Sequence, residues 1–187
     1  MIYTALYTSP LGGITLASDG IALTGLYFDG ETGCPPCDAA HKKDLPIFGE
    51  AVKWLDLYFS ETEPDFMPPL APVGTTFQQA VWEILKTIPY GETTTYGAIA
   101  KQLEKNTGRR MSAQAVGGAV GRNPISILIP CHRVIGANGS LTGYAGGLDK
   151  KEYLLELEGV IEEVFHTRKR SPRAELRFFR SYTSIAA

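Results

Sequence analysis

Residues 93–121 read TTTYGAIAKQLEKNTGRRMSAQAVGGAVG, two short helical patterns separated by a polar, glycine-bearing break. Thr93 and Thr94 can cap the first pattern, in which Tyr96, Ile99, Ala100 and Leu103 fall on one face. Asn106, Thr107 and Gly108 make the break, and Ser112 can cap the second pattern, from Ala113 to about Gly121. Lys101, Lys105, Arg109, Arg110 and Arg122 lie in or beside these patterns, against only Glu104. Two short helices joined by a glycine-bearing turn among basic residues have the pattern of a helix-turn-helix. A plain helical hairpin has the same pattern, so DNA binding does not follow from it alone.

Working outward, Thr75 or Thr76 can cap an earlier helix with Phe77, Val81, Ile84, Leu85 and Ile88 at helical spacing, closed by Pro89, Tyr90 and Gly91. Residues 63–72 are proline-dense and aperiodic, which predicts a linker and a boundary near residue 72. Before it, alternating apolar and polar positions between glycine-bearing turns predict a three-stranded meander over 2–7, 14–18 and 22–28. A helical pattern follows from about Pro46 to Ser60, with Val52, Leu55, Tyr58 and Phe59 on one side. Downstream, Ser126 to Ile129 reads as a short strand leading into Pro130, Cys131, His132 and Arg133, then a glycine-rich stretch to Gly147. Lys150 to Glu158 has helix-forming composition with Tyr153, Leu154 and Leu157 facing inward. Trp54 and Trp82 read as helix-packing residues, and Tyr90 as surface packing. The expected fold is α+β: a small antiparallel sheet plus a helix over 1–72, and a mainly helical unit with the helix-turn-helix and the Cys131 loop over 73–165. Residues 166–187 form a basic tail, expected to be mobile.

A chain of 187 residues can bury a core without crosslinks. Its three cysteines, Cys34, Cys37 and Cys131, and the lack of a basic-apolar leader point to a reducing, intracellular, cytoplasmic setting. Glycine, proline or charge interrupts every apolar run short of the roughly 18 residues of a membrane span, so a soluble protein with no membrane partner is expected. The net charge of −2 argues against a protein that coats nucleic acid nonspecifically, but the basic stretch 101–122 and the acidic stretch 44–65 leave room for one basic face.

Only the thiolate of a cysteine is a strong nucleophile, so a reactive Cys131 needs a group to accept its proton. His132 is adjacent, but neighbours in an extended segment point to opposite sides, so a turn or a bridging water must connect sulfur to imidazole. Glu158, on the inward-facing helix, is a candidate to orient the histidine, giving the logic of a cysteine protease triad. On these residues alone an inert buried thiol beside a core histidine stays open.

The run from Asn123 through Pro130, Cys131, His132, Arg133 and Val134 to Ile135 resembles the active-site signature of the O6-alkylguanine-DNA alkyltransferases. The resemblance extends to Thr94, Tyr96 and Gly97, to Ala115-Val116-Gly117-Gly118-Ala119, to Gly139 through Gly147, and to Lys151-Glu152 through Leu155, Glu158 and Gly159, in family order. The opening Tyr-Thr-Ser-Pro-Leu-Gly is also similar to the family's first domain. The resemblance implies repair of double-stranded DNA by single-use transfer of an alkyl group, chiefly methyl, from O6 of guanine and also O4 of thymine, by a monomer without a cofactor. It implies Cys131 as acceptor, His132 as water-mediated proton acceptor, Glu158 as its partner and Asn123 as a hinge. Tyr96 would rotate the phosphate that drives base flipping and donate to guanine N3. The carbonyls of Cys131 and Val134, with Tyr144 and the amide of Ala145, would read the base. Thr95, Gln114, Ala115, Gly117, Gly118 and Arg122 would meet DNA from the minor groove.

One residue departs from the pattern. The family's intercalating finger is usually arginine, and Gln114 stands in its place. Either glutamine fills the vacated stack, or Arg109, Arg110 or Arg122 supplies the missing attraction. Cys34 and Cys37 with His41 have the spacing of half a zinc site, but no fourth ligand is evident and no metal is expected. The alternative functions are a DNA-binding module that marks lesions without transfer, and a cysteine hydrolase using the same three residues.

Overall fold

The computed structural model describes residues 1–31, 33–35 and 45–160; Cys37, His41 and the basic tail lie outside these described residues. Strands β1 (Tyr3–Ser9), β2 (Gly12–Ser18) and β3 (Leu23–Phe28) form an antiparallel meander in the order β1-β2-β3, with a register shift at Ala17/Ser18. Helix α1 (Pro46–Phe59) packs on β1 and β2 through its buried side. Pro46 at its start costs nothing there, because the first helical N–H has no intrahelical acceptor.

Helices α2 (Thr76–Leu85), α3 (Tyr96–Thr107) and α4 (Ala113–Val120) pack on one another. Thr75 closes α2 with a full capping box shared with Gln78. Ile88 lies past its end, in a turn bonded to Leu85. Thr95, rather than Thr93 or Thr94, caps α3. Three successive threonines are equivalent by composition; Thr94–Thr95 pair in parallel with Val134–Ile135 as β4 and β5, and the helix starts where that pairing ends. Gly108 takes the left-handed conformation at φ 69° and ends α3, and Ser112 caps α4. The two helices pack on each other across the turn that follows Gly108. Trp82 donates from Nε1 to the Ala119 carbonyl at 2.9 Å, pinning α4 to α2. Helix α5 (Leu148–Leu157) closes the fold against the Cys131 turn.

Two segments outside the meander pair with the free edge of β3. Residues 69–71 of the proline-dense stretch bracket Leu23, and residues 124–126 bracket Leu26. The second bridge ties the sheet to the loop that carries Cys131, and one hydrophobic cluster runs through both halves of the chain.

Residues 126–129 are not the expected strand. They coil through tight turns, Leu128 N to Ser126 O at 2.9 Å and Ile129 N to Ile125 O at 3.0 Å, with Ile127 at φ 70°. A continuous apolar run fits any segment buried on all sides, and the Asn123 side chain supplies partners that a neighbouring strand would have given. No helix among the described residues is long and apolar enough to cross a membrane.

Candidate active site

Pro130 delivers the chain into a single 3-10 turn, Cys131–Arg133, so the alternation of an extended segment does not apply and successive side chains project about 120° apart. Cys131 and His132 are both buried. Asn123, past the end of α4, donates from Nδ2 to Ile129 O at 2.8 Å and accepts from Ile125 N at 3.1 Å. One side chain thereby links the end of α4 to the loop before the cysteine.

Glu158 caps the end of α5 and meets His132: Nε2 donates to Oε1 at 2.7 Å. That bond fixes the proton of neutral His132 on Nε2 and leaves Nδ1 as the ring's acceptor; Nδ1 is buried and has no hydrogen-bond partner among the described residues. Arg133 grips the same carboxylate, Nε to Oε2 at 2.8 Å and NH2 to Oε1 at 3.0 Å, and its NH1 donates to Ile88 O at 2.6 Å. Gly91 N reaches Oε2 at 3.2 Å. Gly91 sits at φ 75°, and a Cβ there would lie 3.0 Å from the Glu158 carbonyl, so only glycine fits this approach. Tyr58, from α1, donates its hydroxyl to Oε1 at 2.6 Å.

Burial alone would raise the Glu158 carboxyl, but the hydrogen bonds and charges of His132 and Arg133 outweigh it and hold the pKa at about 2. Burial lowers the pKa of His132 despite the opposing pull of Glu158. Burial pushes the Cys131 thiol up to about 11, against the smaller opposing effects of the Asn123 hydrogen bond and the Lys151 charge. The resting site therefore holds a neutral thiol beside a neutral imidazole backed by a carboxylate.

On the other side of the turn, Lys151 is fully buried, donating from Nζ to the carbonyls of Val134 at 2.5 Å and Thr142 at 3.0 Å. Burial lowers its pKa to about 8, and the neighbouring cysteine pulls it back up. Tyr96 donates to the same Thr142 carbonyl at 2.9 Å. The Cys131 carbonyl accepts from Val134 N, and the Val134 carbonyl accepts from Lys151 Nζ. The Tyr144 hydroxyl is buried beside the Ser126 side chain, and its ring packs edge-on to Phe28, 6.3 Å away. Ala145 is exposed.

Thr95 accepts from Ala98 N at 3.1 Å. Gln114 and Ala115 are exposed on α4, Gly117 and Gly118 are half-buried, and Arg122 folds back to donate to Gly118 O at 3.0 Å.

Residues 76–160 match the family model described as 6-O-methylguanine DNA methyltransferase, DNA binding domain, and residues 2–72 match its ribonuclease-like domain. The chain belongs to the 6-O-methylguanine DNA methyltransferase family. A Methanosarcina acetivorans relative, named methylated-DNA–protein-cysteine methyltransferase, is 50% identical over 84% of this chain and 99% of its own length. A Haemophilus influenzae protein of the same name is 40% identical over 97% of each chain. Among solved structures, the Mycobacterium tuberculosis O6-methylguanine methyltransferase superposes with a TM-score of 0.73 at 42% identity, covering 94% of this chain and 99% of its own. The Mycobacterium tuberculosis OGT in complex with DNA gives 0.71 at 47%, covering 84% and 91%.

Of the expected site residues, Cys131 and His132 share one turn and Glu158 bonds His132. Arg133, Lys151, Gly91 and Tyr58 were missed. Arg133 and Lys151 stand inside the quoted motifs, yet a cation in sequence reads as surface until its partners are known. Tyr90, expected as surface packing, lies half-buried with Arg133 over its ring at 5.7 Å and its hydroxyl on Leu157 O at 3.2 Å. Among the described residues no group of three or more His, Cys, Asp or Glu could hold a metal ion.

Proposed function

We propose that this protein repairs alkylated DNA by irreversible, stoichiometric transfer of an alkyl group, chiefly methyl, from O6 of guanine, and from O4 of thymine, to Sγ of Cys131. The observation that carries the reading is a buried cysteine heading a 3-10 turn whose next residue is committed to Glu158 through Nε2, with Nδ1 left to accept a proton.

The thiol proton passes to His132 Nδ1 through a water, and Glu158 stabilises the imidazolium. The sulfur attacks the alkyl carbon as the bond from carbon to O6 breaks, and the electron pair leaves with guanine. Tyr96 donates to guanine N3, easing its departure; its hydroxyl must leave Thr142 to do so. A thiol with a pKa near 11 is ionised at about one part in ten thousand at neutral pH, so the nucleophile forms only with the relay engaged. The thioether does not reverse, and each molecule acts once.

The target base must first leave the duplex, at a cost of roughly a few kcal/mol. Helix α4 serves this from the minor groove. Its small residues are not demanded from inside: a Cβ at Gly117 would lie at an ordinary 3.7 Å from Tyr96, and one at Gly118 would meet only the mobile end of Arg122. Their smallness suits the close approach of another molecule. Gln114 fills the vacated stack, and Thr95, Ala115 and Arg122 flank the strand. Tyr144, Ala145 and the carbonyls of Cys131 and Val134 line the base pocket. In this division of labour residues 1–72 support the site and 73–165 bind DNA and carry out transfer, within the cell.

Mixing the protein with duplex DNA containing O6-methylguanine is expected to add one methyl group to the Cys131 peptide, one per molecule and without turnover, as read by mass spectrometry. Tight lesion binding with unchanged DNA would instead make this a lesion-marking module.

A further inference from the structure

We propose that Tyr58 is a positioning residue of the transfer reaction: from α1 its hydroxyl holds the Glu158 oxygen that receives the His132 Nε2 proton, and so sets how readily His132 takes the proton of Cys131. The proposal rests on the alkyl-transfer reading above.

Tyr58 belongs to the N-terminal half, 74 residues before His132 and 100 before Glu158. It is fully buried, and its ring is held on several sides, stacked on Trp54 at 5.2 Å and edge-on to Phe59 at 5.5 Å, Tyr90 at 6.0 Å and His132 at 6.4 Å. The hydroxyl has little freedom: it lies 2.6 Å from Glu158 Oε1 and 3.3 Å from His132 Nε2. A buried tyrosine needs an acceptor, and any backbone carbonyl would serve stability. This one is aimed at a carboxylate that already accepts four other hydrogen bonds. Phenylalanine would leave Glu158 satisfied, so the hydroxyl is not required to balance the charge.

What the hydroxyl does is compete with the imidazole N–H for Oε1. Each donor to that oxygen reduces the charge available to an imidazolium, so the phenol keeps His132 less basic than Glu158 alone would make it. The other charged and titratable groups facing the couple are Arg133 and Lys151 around His132, and Arg133, Tyr144 and the edge-on Tyr90 around Tyr58 and Glu158. None of them changes when the Tyr58 hydroxyl is removed. The sign is therefore fixed: without the phenol, His132 stays protonated to higher pH and the relay engages later.

The test is the single-turnover rate of Cys131 methylation by the full chain on O6-methylguanine duplex, measured across about pH 5 to 9. Tyr58→Phe is expected to move the acid limb of the profile up by about one pH unit, roughly a tenfold loss on the acid side, with the plateau within about threefold of wild type. Placing 3-fluorotyrosine at position 58 keeps shape and hydrogen bond while strengthening the donor, and should move the limb down. Trp54→Phe, which loosens packing beside the same ring, should lower the melting temperature and leave the limb in place. If Tyr58→Phe does not fold, the fluorotyrosine protein decides. Unmoved limbs, or a Trp54→Phe shift as large as that of Tyr58→Phe, overturn the proposal while leaving transfer intact. Wild-type protein that never methylates Cys131 sinks the transfer reading, and this proposal with it.

Discussion

Behind Cys131, one carboxylate accepts five hydrogen bonds, from Tyr58, Gly91, His132 and twice from Arg133. On α4, by contrast, Gln114 and Ala115 turn to solvent, and Arg122 closes onto its own helix at the Gly118 carbonyl. The two regions are built for different tasks. Proton transfer needs groups held at fixed distances in a dry pocket, and the hydrogen bonds on Glu158 supply that while leaving His132 Nδ1 open to accept the proton. On the proposed reading α4 meets DNA, so its polar groups stay hydrated and its small residues stay uncovered until DNA binds.

Breaking the buried side should have the larger effect. Glu158→Gln removes the charge that pairs Arg133 and orients His132, and leaves a buried guanidinium uncompensated. The expected loss is about 3–5 kcal/mol of stability, a fall in melting temperature of roughly 10 °C, with methylation of Cys131 slowed at least about a hundredfold. Calorimetry and single-turnover kinetics read the two effects separately. Retained stability would mean that Arg133 finds another acceptor.

Acid should expose the same network. The Glu158 carboxyl is held at about 2 in the fold against an ordinary value of 4.5, so its contribution is fully present above about pH 4.5. As pH falls the unfolded chain takes up the proton first, and the contribution, of the order of 3 kcal/mol, is lost between about pH 4.5 and 2. Wild-type stability should fall through that window, and Glu158→Gln should show a shallower fall in urea titrations.

The smallest effect belongs to the open side. Gln114→Arg adds one cation on the exposed face of α4, so DNA affinity should rise a few-fold at low salt and the log–log salt slope should steepen by about 0.9. The rate of transfer at saturating DNA should be unchanged. An unaltered salt slope would place residue 114 away from the phosphates.

How much was legible in advance follows the same division. Helix caps, the meander and the helix-turn-helix rest on local residue choices, and Thr75, Ser112 and Gly108 act where those choices indicate. Cys131, His132 and Glu158 were legible because the residues around them sit in a family motif. The 126–129 turn was not, because an unbroken apolar run carries no period, and its backbone is satisfied by tight turns, by Leu26 of β3 and by the Asn123 side chain. Tyr58 was visible only as one apolar position on a helix face.

The sequence by itself determined which residues the family motif marks for the chemistry and which local elements carry them, since capping, periodicity and the Cys131 motif depend on near neighbours along the chain. Only the tertiary structure decided that Arg133 and Lys151 are buried cations, that Thr95 rather than its neighbours starts α3, and that a tyrosine from the N-terminal half touches the relay. The reason is physical: a side chain's ionisation, burial and hydrogen bonds are set by partners distant in sequence, and those partners meet only when the sheet, α1 and α5 close around the Cys131 turn.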